Sequence, residues 1–220
     1  MDTTEDKWLP HRRKMVDEHL RARGITDSKL LEAFLTVPRE RFLPASYQDK
    51  AYCDHPLPIG HGQTISQPLV VALMVRELRP QPHHRVLDVG AGSGYQTAIL
   101  ARLVSHVYAV ERINELTERA IDTLAGIGCD NVTVVTADGT LGLPEEAPYD
   151  GIVCGAAGPN VPESWLSQVV DGGRIVMPVG PRDEQMLIVL QRNGETFTRR
   201  EVCRVRFVKL IGQHGWRQPE

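Results

Sequence analysis

Apolar residues in the first part of the chain recur every three or four positions, which is the spacing of amphipathic helices. In the stretch 11–23 this spacing places Met15, Val16 and Leu20 on one face, and Gly24 follows where a helix would end. The pattern therefore predicts an N-terminal helix whose apolar face joins the core.

Two more helices are predicted before the pattern changes. Asp27 can cap a short helix that Pro38 brings to an end. Ser66 can cap the next helix, with Pro68 in its first turn. The segment between them, 44–65, lacks clean periodicity and is rich in proline and glycine. Because long irregular segments inside compact domains are often functional, this one is a candidate for part of a site.

From Arg85 onward, short apolar runs alternate with helical stretches. The predicted strands are 86–89, 107–110, 132–136, 151–154, 174–178, 186–191 and 202–210. The clearest predicted helices between them are 95–103 and 113–124. This alternation is typical of an α/β fold with a doubly wound, mainly parallel sheet, here with seven strands, helices on both faces and antiparallel strands at the end. In such sheets ligands bind outside the carboxyl ends of the strands.

Composition narrows the class of protein. The 220 residues are 41% hydrophobic and 24% charged, with a formal net charge of −3. This balance argues against a nucleic-acid partner bound through a general basic field. The N-terminus does not resemble a signal peptide and no apolar run is long enough to span a bilayer, so we expect a cytoplasmic protein without a membrane partner. The four scattered cysteines predict neither a metal site nor a disulfide framework.

A glycine-rich turn joins the first of these strands to the next helix. Residues 88–95 read DVGAGSGY, and glycines there let a ligand lie against bare peptide groups. A dinucleotide-binding loop would have its third glycine where Tyr95 stands, and this bulky side chain would keep a pyrophosphate from the helix. The charge of Asp88 suits a cationic ligand, which favours S-adenosylmethionine and leaves an NAD-dependent oxidoreductase as a distant alternative. The residues expected to hold the cofactor here are Asp88, Gly90, Ala91, Gly92 and Gly94.

Two acidic positions after the next strands complete the predicted cofactor site. Glu111 ends the second strand, where a carboxylate can accept hydrogen bonds from both ribose hydroxyls. Asp138 and Gly139 follow the third strand, where the acid can accept from the adenine amino group. An ordinary Asp-Gly turn is the alternative at this second position.

These positions carry a family resemblance. The glycine-rich run with Glu111 and Asp138-Gly139 resembles the class I adenosylmethionine-dependent methyltransferases, which have a Rossmann-like fold. Upstream, residues 57–68 (LPIGHGQTISQP) resemble the signature of the protein-L-isoaspartate methyltransferases. Further matches to that family are VPRERF at 37–42, APYD at 147–150, Pro162 and GGR at 172–174. The resemblance covers roughly residues 12–212.

The resemblance implies a reaction and its substrates. Members of the family move a methyl group from S-adenosylmethionine to the free α-carboxyl of L-isoaspartyl residues in damaged proteins and peptides, and the ester starts repair through a succinimide. The carboxylate is already ionised at neutral pH, so no general base is needed. The enzyme has to place one oxygen in line with the methyl group and exclude water. A monomeric enzyme is expected.

The resemblance also implies roles for individual residues. Thr64 and Ile65 would lie over the cofactor, and Ser66 would be the catalytic residue, donating a hydrogen bond to the substrate carboxylate. A helix-capping role for Ser66 alone is the plainer alternative. The final strand, 206–210, would close over the substrate, with Lys209 where family members commonly have proline. The substrate-binding residues expected from the resemblance are Ile65, Ser66, Phe207, Val208 and Leu210. Asp54 is added from its place in the irregular segment, where it can orient a substrate amide, and an ordinary turn aspartate is the alternative.

The whole chain, 1–220, is interpreted as a single methyltransferase domain. It comprises a flexible tail (1–10), an N-terminal helical and substrate-loop region (11–80), a cofactor-binding core (81–180) and C-terminal strands (181–215). Two other functions stay open from the sequence. One is a related methyltransferase that forms aspartimide in a dedicated peptide, and the other is a non-catalytic protein that binds isoaspartyl sites or S-adenosylmethionine.

Overall fold

A computed structural model describes residues 6–217. The first helical stretch has three parts in direct succession: α1 (Leu9–Lys14), a π-helical turn (Met15–Leu20) and a 3-10 turn (Arg21–Arg23). Gly24 ends it with φ 84°, as the sequence predicts. The helix begins before residue 11, so the last residues of the predicted tail are helical because Pro10 suits a first turn. Residues 1–5 of that tail lie outside the described part of the chain.

The next two helices differ in how they begin. Helix α2 (Ser28–Thr36) is capped by Asp27, whose side chain accepts hydrogen bonds from two backbone N–H groups of the first turn. Helix α3 (Pro68–Leu78) has Gln67 at its N-cap and no side-chain cap. The prediction that Ser66 caps α3 is therefore wrong, since Ser66 lies one residue outside the helix terminus.

The irregular segment contains more regular structure than its sequence indicates. Two 3-10 turns, Arg39–Phe42 and Ala45–Lys50, lead into a hairpin of β1 (Leu57–Gly60) and β2 (Gln63–Ile65). Its turn has positive φ at Gly60, His61 and Gly62. A turn of this kind between short apolar strands is a hairpin signal, and the Gly-His-Gly run could have revealed it.

Seven strands form the main sheet: β3 (Arg85–Val89), β4 (His106–Glu111), β5 (Val132–Thr136), β6 (Tyr149–Cys154), β7 (Val169–Val179), β8 (Gln185–Asn193) and β9 (Thr196–Val205). Their order is β5-β4-β3-β6-β7-β8-β9. The first five are mutually parallel, whereas β8 is antiparallel to β7 and to β9. The predicted mainly parallel α/β sheet with antiparallel C-terminal strands is confirmed.

The last strand lies earlier in the chain than predicted. It ends at Val205, and of residues 206–210 only Lys209 forms a bridge, with Ala157. Beyond Val205 the apolar pattern has another cause than a strand. Leu210 packs into one core with the half-buried Val208 beside it, and the half-buried Phe207 packs against the other core.

The two faces of the sheet are covered unequally. Helices α4 (Tyr95–Ala101) and α5 (Asn114–Gly126) connect β3 to β4 and β4 to β5 in one direction across the sheet, so right-handed crossovers place both on one face, where α1, α2 and α3 also pack. The connections from β5 to β6 and from β6 to β7 run over the other face. They are short and hold only α6 (Glu163–Leu166) and two 3-10 turns.

The sheet interior is apolar on both sides. Val86 of β3 belongs to the core under the long helices and its neighbour Leu87 to the core on the opposite face. Both are fully buried, as expected for a parallel strand in the middle of a sheet. Within residues 6–217, no helix combines the length and the apolar character that a bilayer crossing needs.

Candidate active site

The glycine loop follows β3 and is tied to the neighbouring strand. The backbone N–H groups of Gly90 and Ala91 both donate to the carbonyl of Val110, at 2.8 and 3.2 Å. Gly90 and Gly92 have φ of 75° and 56°, a region that other residues adopt only under strain. The loop therefore depends on glycine at these positions, and both glycines line a cavity at the carboxyl ends of the strands.

Two other predicted cofactor residues in this loop face away from the cavity. A Cβ at Gly94 would lie 3.3 Å from Ala120 and Leu124 of α5, so this glycine lets α4 and α5 pack closely. Ala91 is buried. Neither residue lines the cavity, and each supports the loop from behind.

Asp88 lies beneath the glycine loop. Its carboxylate is fully buried and accepts hydrogen bonds from Thr97 Oγ1 at 2.7 Å and Gln96 Nε2 at 2.8 Å, both on α4. Burial raises the pKa of Asp88 to about 6, against the opposing effect of these two hydrogen bonds and with a further contribution from the charge of Glu111. Asp88 does not line the cavity, and its two hydrogen bonds hold α4 beneath the loop.

The raised pKa makes the contribution of Asp88 to stability depend on pH. Its pKa in the folded state is above the ordinary value of 3.8, so the native state binds this proton more tightly than the unfolded state. Relative to Asp88→Asn, the wild type should therefore lose stability as pH rises from about 4 to about 6, by roughly 2 to 3 kcal/mol. Urea unfolding of both proteins across this range measures the difference.

The control for this prediction is Asp49→Asn, which removes an exposed carboxylate. Its difference from the wild type should stay nearly constant over the same pH range. A difference between wild type and Asp88→Asn that does not change with pH would show that Asp88 titrates normally in the folded protein.

Glu111 at the end of β4 is the acidic residue that lines the cavity. Its Oε2 accepts from Gly92 N at 3.0 Å, and its Oε1 accepts from Arg112 N at 2.9 Å and Ile113 N at 3.0 Å. A carboxylate has about four lone-pair positions. Three are used within the protein, so one position on Oε2 is left for a ligand hydroxyl. This is fewer than the two hydroxyls expected from the sequence.

Asp138 and Gly139 differ in their surroundings. Gly139 lines the cavity, but Asp138 does not. Burial disfavours ionisation of Asp138, but hydrogen bonds from Gln213 N and from Thr140 outweigh it and hold the pKa of this carboxyl below its usual range. The carboxylate thus holds residues 210–216, which we call the C-terminal strap, rather than presenting itself to the cavity.

The cavity beside the glycine loop is the candidate site for the cofactor and is called the cofactor cavity below. It is small and lies at the carboxyl edge of the sheet. Its volume is about 50 Å³. The hairpin contributes Gln63 and Thr64 and the strap contributes Leu210 and Ile211. Thr64 lines the cavity, whereas Ile65 beside it is buried and does not. The cavity is therefore covered from two sides by segments far apart in sequence.

A larger groove of about 540 Å³ adjoins this cavity. The two share Thr64, Gly155 and Val208 as lining residues. Ser66, Phe207 and Val208, three of the residues expected to bind substrate, line the groove. The groove and the cavity thus meet at a junction beside Ser66.

Three predicted substrate residues lie elsewhere. Leu210 lines the cofactor cavity and not the groove, and Ile65 lines neither. Asp54 also lines neither, and its Oδ2 lies 3.5 Å from an Arg23 nitrogen in an ion pair. Asp54 is therefore a structural ion-pair partner here, because the loop that carries it turns toward the first helical stretch.

Charged side chains line both cavities, and of these the sequence had drawn attention to Lys209 in the final segment. Arg112 and Lys209 line the cofactor cavity beside Glu111. Asp183, Glu184, Arg204 and Arg206 line the groove. Because two cations and one anion line the cavity wall, its charge does not by itself favour a cationic ligand. Among residues 6–217 no cluster of His, Cys, Asp or Glu is arranged to hold a metal ion.

The residues of the cavity fit S-adenosylmethionine on other grounds. Gly90, Gly92, Gly139 and Gly155 line it with bare backbone, and a Cβ at Gly155 would approach the Gly90 carbonyl to 3.0 Å. Such a wall admits a flat nucleoside at close range. Glu111 offers an acceptor for a ribose hydroxyl.

Comparisons with known proteins agree with this geometry. The model of the protein-L-isoaspartate(D-aspartate) O-methyltransferase family matches residues 11–215. The protein-L-isoaspartate O-methyltransferase of Methanoregula boonei is 50% identical over 205 residues, which is 93% of this chain and 94% of the relative. That of Herpetosiphon aurantiacus is 47% identical over 211 residues, 96% of this chain and 94% of the relative.

Solved structures show the same similarity. A protein-L-isoaspartate O-methyltransferase superimposes with a TM-score of 0.85 at 31% identity, covering 93% of this chain and 67% of the other. A putative member from Plasmodium falciparum, solved with S-adenosyl-L-homocysteine, gives a TM-score of 0.79 at 25% identity, covering 91% and 98% of the two chains. With its fold, its glycine loop and a family match over nearly its whole length, the chain belongs to the protein-L-isoaspartate(D-aspartate) O-methyltransferase family.

Proposed function

We propose that this chain methylates isoaspartyl residues at the junction of the groove and the cavity, with Ser66 as the residue that binds the substrate carboxylate. The reaction is that of its family, methyl transfer from S-adenosylmethionine to the free α-carboxyl of an L-isoaspartyl residue. The observation that carries the proposal is that two cavities share Thr64, Gly155 and Val208 beside a half-buried serine. One cavity suits a nucleoside and the other an extended peptide.

Within this site the residues of the chain bind and orient the cofactor and the substrate, and they exclude water. S-adenosylmethionine supplies the electrophilic methyl group when bound. The glycine wall, Glu111 and Thr64 hold the cofactor side, and Phe207 and Val208 form the apolar side of the groove. Because an isoaspartyl carboxylate is already ionised, no residue has to remove a proton, and catalysis depends on orientation and desolvation.

Ser66 suits a positioning hydrogen bond to the substrate. Its hydroxyl makes no hydrogen bond with another residue in the range 6–217, so the donor is available, and the residue lines the groove beside the junction. A neutral hydroxyl holds a carboxylate without neutralising it, which keeps the oxygen nucleophilic. The substrate backbone would lie extended along the groove, a binding mode that tolerates varied flanking residues.

The reaction is tested with two synthetic peptides that differ only in one residue, L-isoaspartate or L-aspartate. Transfer of labelled methyl from S-adenosylmethionine to the isoaspartyl peptide alone, in a form released by mild base, is the expected result. Cofactor binding without transfer to several isoaspartyl peptides would contradict the proposed substrate and direct the search to a dedicated partner.

Replacing Ser66 with alanine should lower kcat/KM for the isoaspartyl peptide about 10-fold, because a hydrogen bond to a charged group contributes about 1.5 kcal/mol. Binding of S-adenosylmethionine, measured by calorimetry, should change less than 2-fold. Ser167→Ala, at an exposed serine outside both cavities, is the control and should retain full activity. Unchanged kinetics in Ser66→Ala would remove Ser66 from the mechanism.

The chain acts in this proposal as a cytoplasmic monomer that binds neither nucleic acid nor membrane. In the described part of the chain, Ile121 and Leu141 are the exposed large apolar residues, and they offer little surface for a stable subunit contact. The four cysteines are free, which suits a reducing compartment. Light scattering on the purified protein should give the mass of one chain.

A further inference from the structure

Arg39 is a fully buried arginine that lies behind the active-site serine and lines neither cavity. Its Nε donates to the carbonyl of Ala51 at 2.7 Å, and its Nη2 donates to the carbonyl of Ser66 at 2.7 Å. These two nitrogens form one edge of the planar guanidinium. A single rigid group therefore holds the main chain at both ends of the segment that contains the hairpin.

The same guanidinium also touches the cofactor side of the site. It lies 4.6 Å from the ring centroid of Tyr95, the first residue of α4 directly after the glycine loop. The ring of Tyr95 packs edge-on against Phe34 at 6.1 Å and Phe42 at 5.5 Å, so its position is fixed. Arg39 thus connects the main chain of Ser66 to the helix that carries the glycine loop.

The hydrogen-bond acceptors of Arg39 are two main-chain carbonyls rather than a carboxylate. Among residues 6–217 no carboxylate forms an ion pair with this guanidinium, and its Nη1 has no hydrogen-bond partner. Burial lowers the pKa of Arg39, and the nearby Tyr95, Tyr52 and Asp54 oppose this effect. Burying a cation without an anionic partner costs free energy, and packing alone would be served by an apolar side chain. Only an arginine can donate hydrogen bonds to both carbonyl oxygens and at the same time stack against the aromatic ring of Tyr95.

We propose that Arg39 is a positioning residue for methyl transfer, fixing the Ser66 main chain relative to the glycine loop so that the serine hydroxyl meets the substrate carboxylate at the junction. This inference rests on the proposed role of Ser66. A displacement of about 1 Å at a reacting group is enough to slow a reaction many-fold. Even a conservative replacement of Arg39 should therefore lower kcat.

A double-mutant cycle tests this coupling. Arg39→Lys keeps the charge but loses the fork and the flat face, and should lower kcat for the isoaspartyl peptide about 10-fold. In a Ser66→Ala background the same change should cost less than 2-fold, because the group that Arg39 positions is gone. The control is Arg41→Lys, in the same 3-10 turn, where an exposed arginine donates to the Gly126 carbonyl. It should leave kcat unchanged.

A backbone change tests the same contact with Arg39 in place. Incorporating the α-hydroxy analogue of Gln67 converts the Ser66–Gln67 amide to an ester and weakens the Ser66 carbonyl as an acceptor. We expect a loss of about 3-fold in kcat with Ser66 present and none in Ser66→Ala. If Arg39→Lys fails to fold, this ester variant tests the contact between Arg39 and the Ser66 carbonyl in its place.

The outcomes distinguish a failure of the role inferred for Arg39 from a failure of the proposed function. Equal losses in both serine backgrounds, or a loss in Arg41→Lys as large as in Arg39→Lys, would show a general structural role and overturn the inference. Absence of transfer by the wild type, or full activity of Ser66→Ala, would instead contradict the proposed function on which it rests.

Discussion

Replacing Glu111 with glutamine is expected to weaken S-adenosylmethionine binding by a few hundredfold. The carboxylate accepts three backbone N–H groups, from Gly92, Arg112 and Ile113, and retains one lone-pair position toward the cavity. A glutamine amide has one acceptor oxygen, so its NH₂ group would face at least one of these N–H donors. The lost charge-assisted bond and the buried unpaired donor together cost roughly 3 to 4 kcal/mol. That corresponds to about 150- to 700-fold in Kd.

The matched control is Glu115→Gln, the same exchange at an exposed position in the first turn of α5. Calorimetric titration with S-adenosylmethionine should give a Kd within 2-fold of the wild type for this control. Urea unfolding of Glu111→Gln shows how much of its loss arises from a destabilised loop. If Glu111→Gln bound the cofactor within 3-fold of the wild type, the cavity described above would not be the cofactor site.

The cofactor side of the site could be predicted from the sequence because its geometry is local. The glycine loop, Glu111 and Gly139 each directly follow a strand, and parallel strands bring their carboxyl ends together at one edge of the sheet. An apolar run and the residues after it therefore suffice to place them. Asp88 shows the limit of this argument. The sequence places it at the end of the same strand, but only packing against α4 shows that its side chain points under the loop.

The substrate side depends on contacts between segments far apart in sequence. The junction forms where β2, the start of the loop after β6 and the segment after β9 meet, and no local pattern specifies that meeting. Phe207 and Val208 were predicted to line the groove from the resemblance alone. In the sequence Arg39 is distinguished only as part of the VPRERF motif, and its hydrogen bond to the Ser66 carbonyl spans 27 residues. Asp54 was assigned from its loop, but its ion pair with Arg23 is invisible in sequence.

The C-terminal strap leads to the second large expected effect. Replacing Gly212 with alanine should weaken S-adenosylmethionine binding about 100-fold. A Cβ at this position would overlap Oδ1 of Asp138, and Asp138 cannot easily turn away because Oδ1 also accepts from Thr140 N at 2.9 Å and Thr140 Oγ1 at 2.7 Å. The strap must therefore move. Leu210 and Ile211 would then leave the cavity wall, and the lost apolar cover would cost about 2 to 3 kcal/mol.

A second glycine distinguishes this effect from a general cost of adding a methyl group. At Gly126, the last residue of α5, a Cβ would lie 2.9 Å from a terminal nitrogen of Arg41, a flexible side chain that can move aside. Gly126→Ala should bind the cofactor as the wild type does, and it should be at least as stable because alanine favours the helix. If Gly212→Ala also bound normally, the strap would not form the cavity wall in the complex. Asp138 would then be free to turn toward the adenine, which is the role expected from its place after β5.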